Sequence, residues 1–190
     1  VFVQPYINHL VSALVAVWTT YGKLVKFCLM PNQGIGLAIT TVRGQNLGAE
    51  NMIRARKGTN VALLLSIATA LILMAPVIIF APLLASLFNN DPDVLSYGVH
   101  FIRLMMPFYL AISFNQIFAN ALRGAGNSVT PMVIMMGSFI VFRQIYLYFI
   151  SKYFNNITAT ALGYPLGWVL CSILLIIYYW KVGLNVKKKI

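Results

Sequence analysis

The chain has 190 residues, of which 60% are hydrophobic and only 9% are charged, and its mean hydropathy is +0.82. Soluble domains carry about a quarter charged residues, so this composition excludes an ordinary soluble domain and indicates a membrane protein. The net charge of +11 would suggest a nucleic-acid partner in a soluble protein, but most basic residues lie in short connections and at the C-terminus, where the positive-inside bias explains them without nucleic acid.

Five apolar stretches are long enough to cross a bilayer as helices, which takes about 20 residues each. In chain order they run roughly over 9–42, 58–87, 97–122, 130–153 and 159–181. The predicted fold is therefore all-α, a polytopic membrane helix bundle over residues 1–182 with a basic tail at 183–190. Pro31 predicts a kink or a break in the first helix.

Polar residues mark one face of the first span. Lys23 and Lys26 are three residues apart, and the same face continues to Gln33. Charges within a span are costly, so these residues either line a cavity or, as the alternative, the lysines extend to the headgroup region. On the second span, a stripe of small residues predicts a helix-packing face: Thr59, Ala62, Ser66 and Thr69.

The third span carries a polar row at spacings of four, three and four residues: Tyr109, Ser113, Gln116 and Asn120. Such groups can orient a substrate, or they can form hydrogen bonds between helices. Arg143 lies inside the fourth span with no acid among its expected neighbours, so it pairs with carbonyls, water or another segment. At the end of the fifth span, Tyr178, Tyr179 and Trp180 predict an aromatic belt.

Two glycine-containing turns fix the predicted topology. The first comprises Gly44, Gln45, Asn46, Leu47, Gly48 and Ala49, and the second runs from Leu122 to Ser128 with Arg123, Gly124 and Gly126. Placing both turns and the lysine-rich tail in the cytoplasm satisfies nearly all basic charges, with Lys152 as the exception. The N-terminus is then extracytoplasmic and the C-terminus cytoplasmic, in the plasma (inner) membrane. The tail lysines could alternatively bind anionic lipid.

The sequence shows no motif typical of a catalytic, metal or nucleotide-binding site. No acid lies in a predicted span, and we find no nucleotide-binding glycine loop, metal-ligand spacing or serine–histidine pair with an oriented acid. We therefore predict no catalytic residues, no metal site and no cofactor, and the protein is not expected to be an enzyme. Cys28 and Cys171 lie within spans and are interpreted as buried apolar residues.

The ordered phrases resemble the multidrug and toxic-compound extrusion (MATE) family. They are Ala16 to Lys23, Gly44 to Ala49 followed by Arg54, Leu87-Phe88 with Asp91-Pro92, Arg103 with Pro107 to Tyr109, Leu122 to Ser128 with Pro131, and Gly163, Pro165 and Trp168. The resemblance implies a two-lobe antiporter that exports organic cations or drugs in exchange for sodium ions or protons. This chain is similar to most of the C-terminal lobe.

The resemblance also implies the partners: membrane lipid, a small molecule that is an organic cation, and a missing N-terminal lobe. The coupling sodium ion or proton is expected to bind in that missing lobe, since this chain offers no intramembrane acid. Two alternatives stay open. Lys23, Lys26 and Arg143 would suit the pyrophosphate of a lipid-linked oligosaccharide flippase, and the chain could be a non-transporting membrane fragment.

Overall fold

The first helix, α1, is the longest element of the fold. The computed structural model describes residues 4–86, 92–153 and 162–182, and α1 runs from Gln4 to Gly48. Pro31 lies inside α1, and the helix is not broken there, because a proline removes a single backbone hydrogen bond and α1 is supported by contacts with α2 and α5. The helix also continues past its predicted end at residue 42.

The second helix, α2, extends from Met52 to Ile79. Its first turn is capped by the side chain of Asn51, which accepts a hydrogen bond from the Arg54 backbone N–H at 3.0 Å. The helix therefore begins six residues before the predicted span and includes its basic residues. A short helix, α3 (Ala81–Ser86), follows after Phe80.

The predicted third span consists of three consecutive helical segments. They are α4 (Pro92–Met105), a 3₁₀ turn (Met106–Phe108) and α5 (Tyr109–Gly124). Pro107 lies in the 3₁₀ turn, where its missing N–H and fixed φ favour a local change of helix type.

The predicted fourth span also changes helix type partway. It comprises α6 (Val129–Met136), a π-helical segment (Gly137–Phe142) and α7 (Arg143–Tyr153). The last helix, α8, runs from Gly163 to Val182. The start of the predicted fifth span at 159–161 and the basic tail at 183–190 lie outside the described residues.

Among the described residues, four helical stretches are long and apolar enough to cross a membrane: Met52–Ile79, Gly98–Gly124, Val129–Ile150 and Gly163–Val182. They correspond to four of the five predicted spans. The described residues hold helices and turns without a strand, so the predicted all-α membrane fold is confirmed.

Helix α5 lies at the centre of the bundle and packs against α1, α2 and α8. Its residues Ile117, Ala119 and Ala121 have no exposed surface. Helix α1 packs on α2, whose small residues Thr59, Ala62 and Ser66 are buried while Thr69 is only partly buried. The predicted packing face of α2 is thus confirmed for its first three members.

Candidate transport site

The two glycine-containing turns meet at one end of the bundle, where α1 and α5 approach closely. A Cβ atom on Gly44 would lie 3.2 Å from the carbonyl oxygen of Gly124. A Cβ atom on Gly124 would overlap the carbonyl oxygen of Thr40 and lie 3.0 Å from its Cα. The Thr40 hydroxyl donates to the Asn120 carbonyl at 3.1 Å. Glycine at these positions therefore allows direct backbone contact between the two helices.

The other residues of the two turns lie at helix ends and contact residues at the same end of the bundle. Asn46 donates from its amide to the Val42 carbonyl at 2.7 Å, and Gly126 has a φ of 83°, which favours glycine. Other members of the first turn are exposed: Gln45, Gly48 and Ala49. Two residues after Ala125, the Asn127 amide donates to the Tyr178 hydroxyl at 2.8 Å. These contacts fix the end of the bundle.

A buried arginine just beyond the predicted first span (9–42) holds three helices together at this end. Arg43 is 1% exposed, and its Nη1 donates to the Tyr179 hydroxyl and, at 3.4 Å, to the Thr59 hydroxyl. Its guanidinium also lies 4.7 Å from the centre of the Tyr179 ring. Arg43 follows the buried Ile39 by four residues, which is about one helical turn. This spacing alone predicts that both side chains lie on the inner face of α1.

The same contacts correct the predicted aromatic belt. Tyr179 is buried against Arg43, and Tyr178 is partly buried and bonded to Asn127. Only Trp180, at 69% exposure, has the outward position that a belt requires. Polar atoms of the two tyrosines find better partners inside the bundle than at its surface.

The polar row of α5 faces neighbouring helices. Ser113 has no exposed surface and accepts a hydrogen bond from the Asn32 amide of α1 at 2.8 Å. Ser66 of α2 donates to the other side of the same amide, the Asn32 Oδ1, at 3.0 Å. Tyr109 is also buried, with its ring 5.4 Å from that of Trp168. For Ser113, these are the contacts expected of an interhelical hydrogen bond.

The lower part of the row forms a second polar cluster. The Asn120 amide donates to Gln116 Oε1 at 3.4 Å, and Arg123 Nη1 donates to Asn120 Oδ1 at 3.1 Å. A Cβ atom on Gly36 of α1 would overlap the Asn120 amide nitrogen. Asn120 is buried and Gln116 is partly buried, so Gln116 is the member of the row with both a polar partner and some free surface.

The face of α1 that points away from α2 and α5 is exposed, and it carries polar residues near the middle of the helix. Lys26 and Gln33 are exposed, and three further exposed residues continue this face at helical spacing: Met30, Leu37 and Thr41. We call these five residues the open face of α1. The side chain of Lys23 lies outside the described residues, so its predicted place on this face is a proposal.

Arg143 occupies a separate place in the fold. It lies at the start of α7 and lines a cavity of about 240 Å³ between the π-helical segment and α8. Its guanidinium carbon is 4.4 Å from the centre of the Tyr164 ring. The predicted cavity residues therefore fall into three sets: the open face of α1, the row on α5, and the α7–α8 cavity.

Comparison with known proteins identifies the family. The MatE family model matches residues 2–149. The "Probable multidrug resistance protein YoeA" of Bacillus subtilis is 22% identical over 183 residues, which cover 94% of this chain and 40% of that protein. A "FAD transporter" of Shewanella oneidensis is 25% identical over 171 residues, covering 90% of this chain and 38% of that protein. The chain thus spans about 40% of the length of these relatives.

Solved structures show the same fold. A multidrug resistance MATE family transporter in its inward-facing conformation has a TM-score of 0.81 at 18% identity, over 92% of this chain and 41% of that one. An outward-facing conformation of such a transporter has a TM-score of 0.82 at 18% identity, over 98% and 44%. These relatives and structures are transporters rather than enzymes. Because the family model matches well over half of its residues, the chain belongs to the MatE family, the MATE transporters that its motifs resemble.

Proposed function

We propose that this chain forms one lobe of a two-lobe, cation-coupled MATE antiporter, and that the open face of α1 lines the central cavity. The observation that carries the proposal is the exposure of Lys26 and Gln33 in the middle of a membrane helix. Unpaired polar groups are unfavourable against lipid. An aqueous cavity or a second lobe covering this face removes that cost.

The coupling ion, sodium or a proton, binds in the other lobe in this proposal. Ion-coupled transport uses an intramembrane acid that changes occupancy. The acids of this chain are Glu50, Asp91 and Asp93. Glu50 is in the turn before α2, and Asp93 is in the first turn of α4, at an end of the helix. We propose that a carboxylate outside this chain supplies the coupling.

The proposed orientation follows the basic charges at the end where the two turns meet. Arg54, Arg56 and Lys57 follow the first turn, and Arg123 precedes the second. The positive-inside bias favours the cytoplasm for this end, in the plasma membrane. The start of α1 then faces the extracytoplasmic side.

Substitution of the open face tests the proposal in the full-length protein that carries this chain. Gln33→Ala should lower export of a cationic dye about three- to tenfold, because one hydrogen bond to substrate or cavity water contributes about 0.5–1.5 kcal/mol. Membrane abundance should stay unchanged. Gln144→Ala, an exposed glutamine on α7, is the matched control. Normal export by Gln33→Ala would contradict the assignment.

A second candidate substrate class is anionic. Lys26 gives the open face a positive charge, and one relative is described as an FAD transporter. A substrate with a pyrophosphate, whether a dinucleotide or the lipid-linked oligosaccharide of a flippase, would suit that charge. Substituting Lys26→Gln separates the classes: export of an anion should fall, while export of a cation should rise or remain constant. Lys181→Gln, exposed at the end of α8, is the control.

A further inference from the structure

The cavity between the π-helical segment and α8 holds polar groups that the proposed transport site does not use. Its volume is about 240 Å³, and its walls include Ser138, Arg143, Tyr164 and Trp168. Gly163 and Gly167 of α8 also border it, and at Gly167 the two helices approach so closely that a Cβ atom would lie 3.1 Å from the Ser138 carbonyl oxygen. The cavity thus lies at a tight helix crossing whose small residues leave room beside it.

Arg143 brings a positive charge to this cavity, and no acid is among the described residues that line it. Its guanidinium stacks over the Tyr164 ring, and its Nε is buried without a hydrogen-bond acceptor among the described residues. The sequence contains no Asp or Glu after Asp93. A buried guanidinium N–H without an acceptor is unfavourable, so the arrangement favours an anion from outside the chain.

Ser138 supplies a second unused polar group on the same cavity. It is 1% exposed and its hydroxyl has no partner at ordinary hydrogen-bond geometry, although it lies beside the Cys171 thiol. The π-helical segment explains why both groups share a cavity. Residues five apart diverge by about 140° on an α-helix, whereas the i→i+5 bonding of a π-helix brings them to neighbouring positions.

The position of the cavity suits a headgroup. Tyr164 is one residue from the start of the span Gly163–Val182, so the Arg143 guanidinium reaches the level at which Tyr and Trp side chains meet the membrane interface. Arg143 belongs to the span Val129–Ile150, and only 6% of the apolar stretch of this span is buried within the lobe. This span is therefore at the perimeter of the lobe, where the phosphate of a lipid headgroup in the adjoining leaflet can reach a basic pocket between helices.

We propose that this cavity binds a phosphate group, with Arg143 as its charged anchor and the Ser138 hydroxyl as a second donor. A guanidinium offers a planar fork of N–H donors that matches two phosphate oxygens, and Nε can be one arm of that fork. The phosphate comes from a phospholipid headgroup or from a soluble phosphate. This site is independent of the proposed role of the open face of α1.

The test measures phosphate-dependent thermal stabilisation of the full-length protein in detergent. Probes are phosphatidylglycerol in mixed micelles, diacylglycerol as the lipid without phosphate, and inorganic phosphate alone. Wild-type protein should be stabilised by at least one phosphate probe and not by diacylglycerol. Stabilisation by phosphatidylglycerol alone identifies a lipid headgroup, and stabilisation by inorganic phosphate identifies a soluble source; either supports the site.

Variants then assign the binding to the cavity. Arg143→Gln should lower the affinity for the phosphate probe that stabilises wild-type protein about tenfold. Arg103→Gln, which replaces an exposed arginine on α4, should leave that affinity unchanged. Ser138→Ala separates loss of binding from loss of folding. Because it removes a buried hydroxyl without a partner, the melting temperature of the unliganded protein should stay unchanged or rise, while the affinity for phosphate should fall about threefold. Absence of stabilisation in wild-type protein, or equal affinity in wild type and both cavity variants, would overturn the proposal.

Discussion

Two neighbouring amides of α1 lie in opposite environments, and only the structure distinguishes them. Asn32 is 2% exposed and joins Ser113 to Ser66, whereas Gln33 is exposed. The polar stripe on the first span includes Gln33 but not Asn32. Adjacent helical residues point about 100° apart, so a polar stripe on a long helix does not reveal which of two amides faces inward. The rotation of the helix about its axis is set by packing against α2 and α5.

The buried amide leads to a prediction about stability at the residue scale. Asn32→Ala should destabilise the full-length protein by about 1–3 kcal/mol, because the hydroxyls of Ser66 and Ser113 lose a common buried partner. Thermal unfolding of purified protein in detergent would measure this. Gln33→Ala should melt at the wild-type temperature. Equal melting temperatures for the two variants would contradict the assignment of Asn32 as the interhelical bridge.

At the scale of elements, the length of the apolar stretches predicted where the helices lie, but it did not predict the changes of helix type within them. The spans over 97–122 and 130–153 correspond to real helical stretches, but the 3₁₀ turn at Met106–Phe108 and the π-helical segment at Gly137–Phe142 were not predicted. Pro107 marked the first irregularity. No proline lies in the π-helical segment, so the sequence carries no comparable mark for it, and hydrophobic periodicity does not encode i→i+5 bonding.

The crossing of α1 and α5 gives a prediction at this scale. Gly124→Ala should destabilise the lobe by about 1–3 kcal/mol, because the added methyl would overlap the Thr40 backbone, which cannot move like a flexible side chain. Gly48→Ala is the matched control, since a Cβ atom there meets nothing within 4 Å. Monodispersity and melting temperature after purification would distinguish them. A wild-type profile for Gly124→Ala would show that the two backbones separate easily.

For the whole molecule, the motifs predicted the family, while the burial of individual side chains could be read only from the fold. The resemblance rested on the phrases at Gly44–Ala49 and Leu122–Ser128, and the structure packs these two turns together. The fold is similar to that of an inward-facing and of an outward-facing transporter, with TM-scores of 0.81 and 0.82. The sequence could not reveal that Ser113 faces inward, because burial depends on helices distant in the chain.

The open face of α1 should therefore be wet in the assembled transporter while the outer face of α2 remains in lipid. We expect Gln33→Cys in the full-length protein to react at least about tenfold faster with a membrane-impermeant maleimide than Leu64→Cys, since the thiolate is the reactive form and hydrocarbon suppresses it. Leu64 is 68% exposed on α2, so both thiols are accessible on the lobe itself and differ only in what covers them. Native Cys28 and Cys171 are buried and provide the background rate in unsubstituted protein. If one lobe of the transporter rocks against the other, as in alternating access by repeat transporters, substrate or a coupling ion should change the Gln33→Cys rate without altering that of Leu64→Cys. Equal rates at the two positions would place the open face of α1 in lipid and remove the basis for a cavity on this lobe.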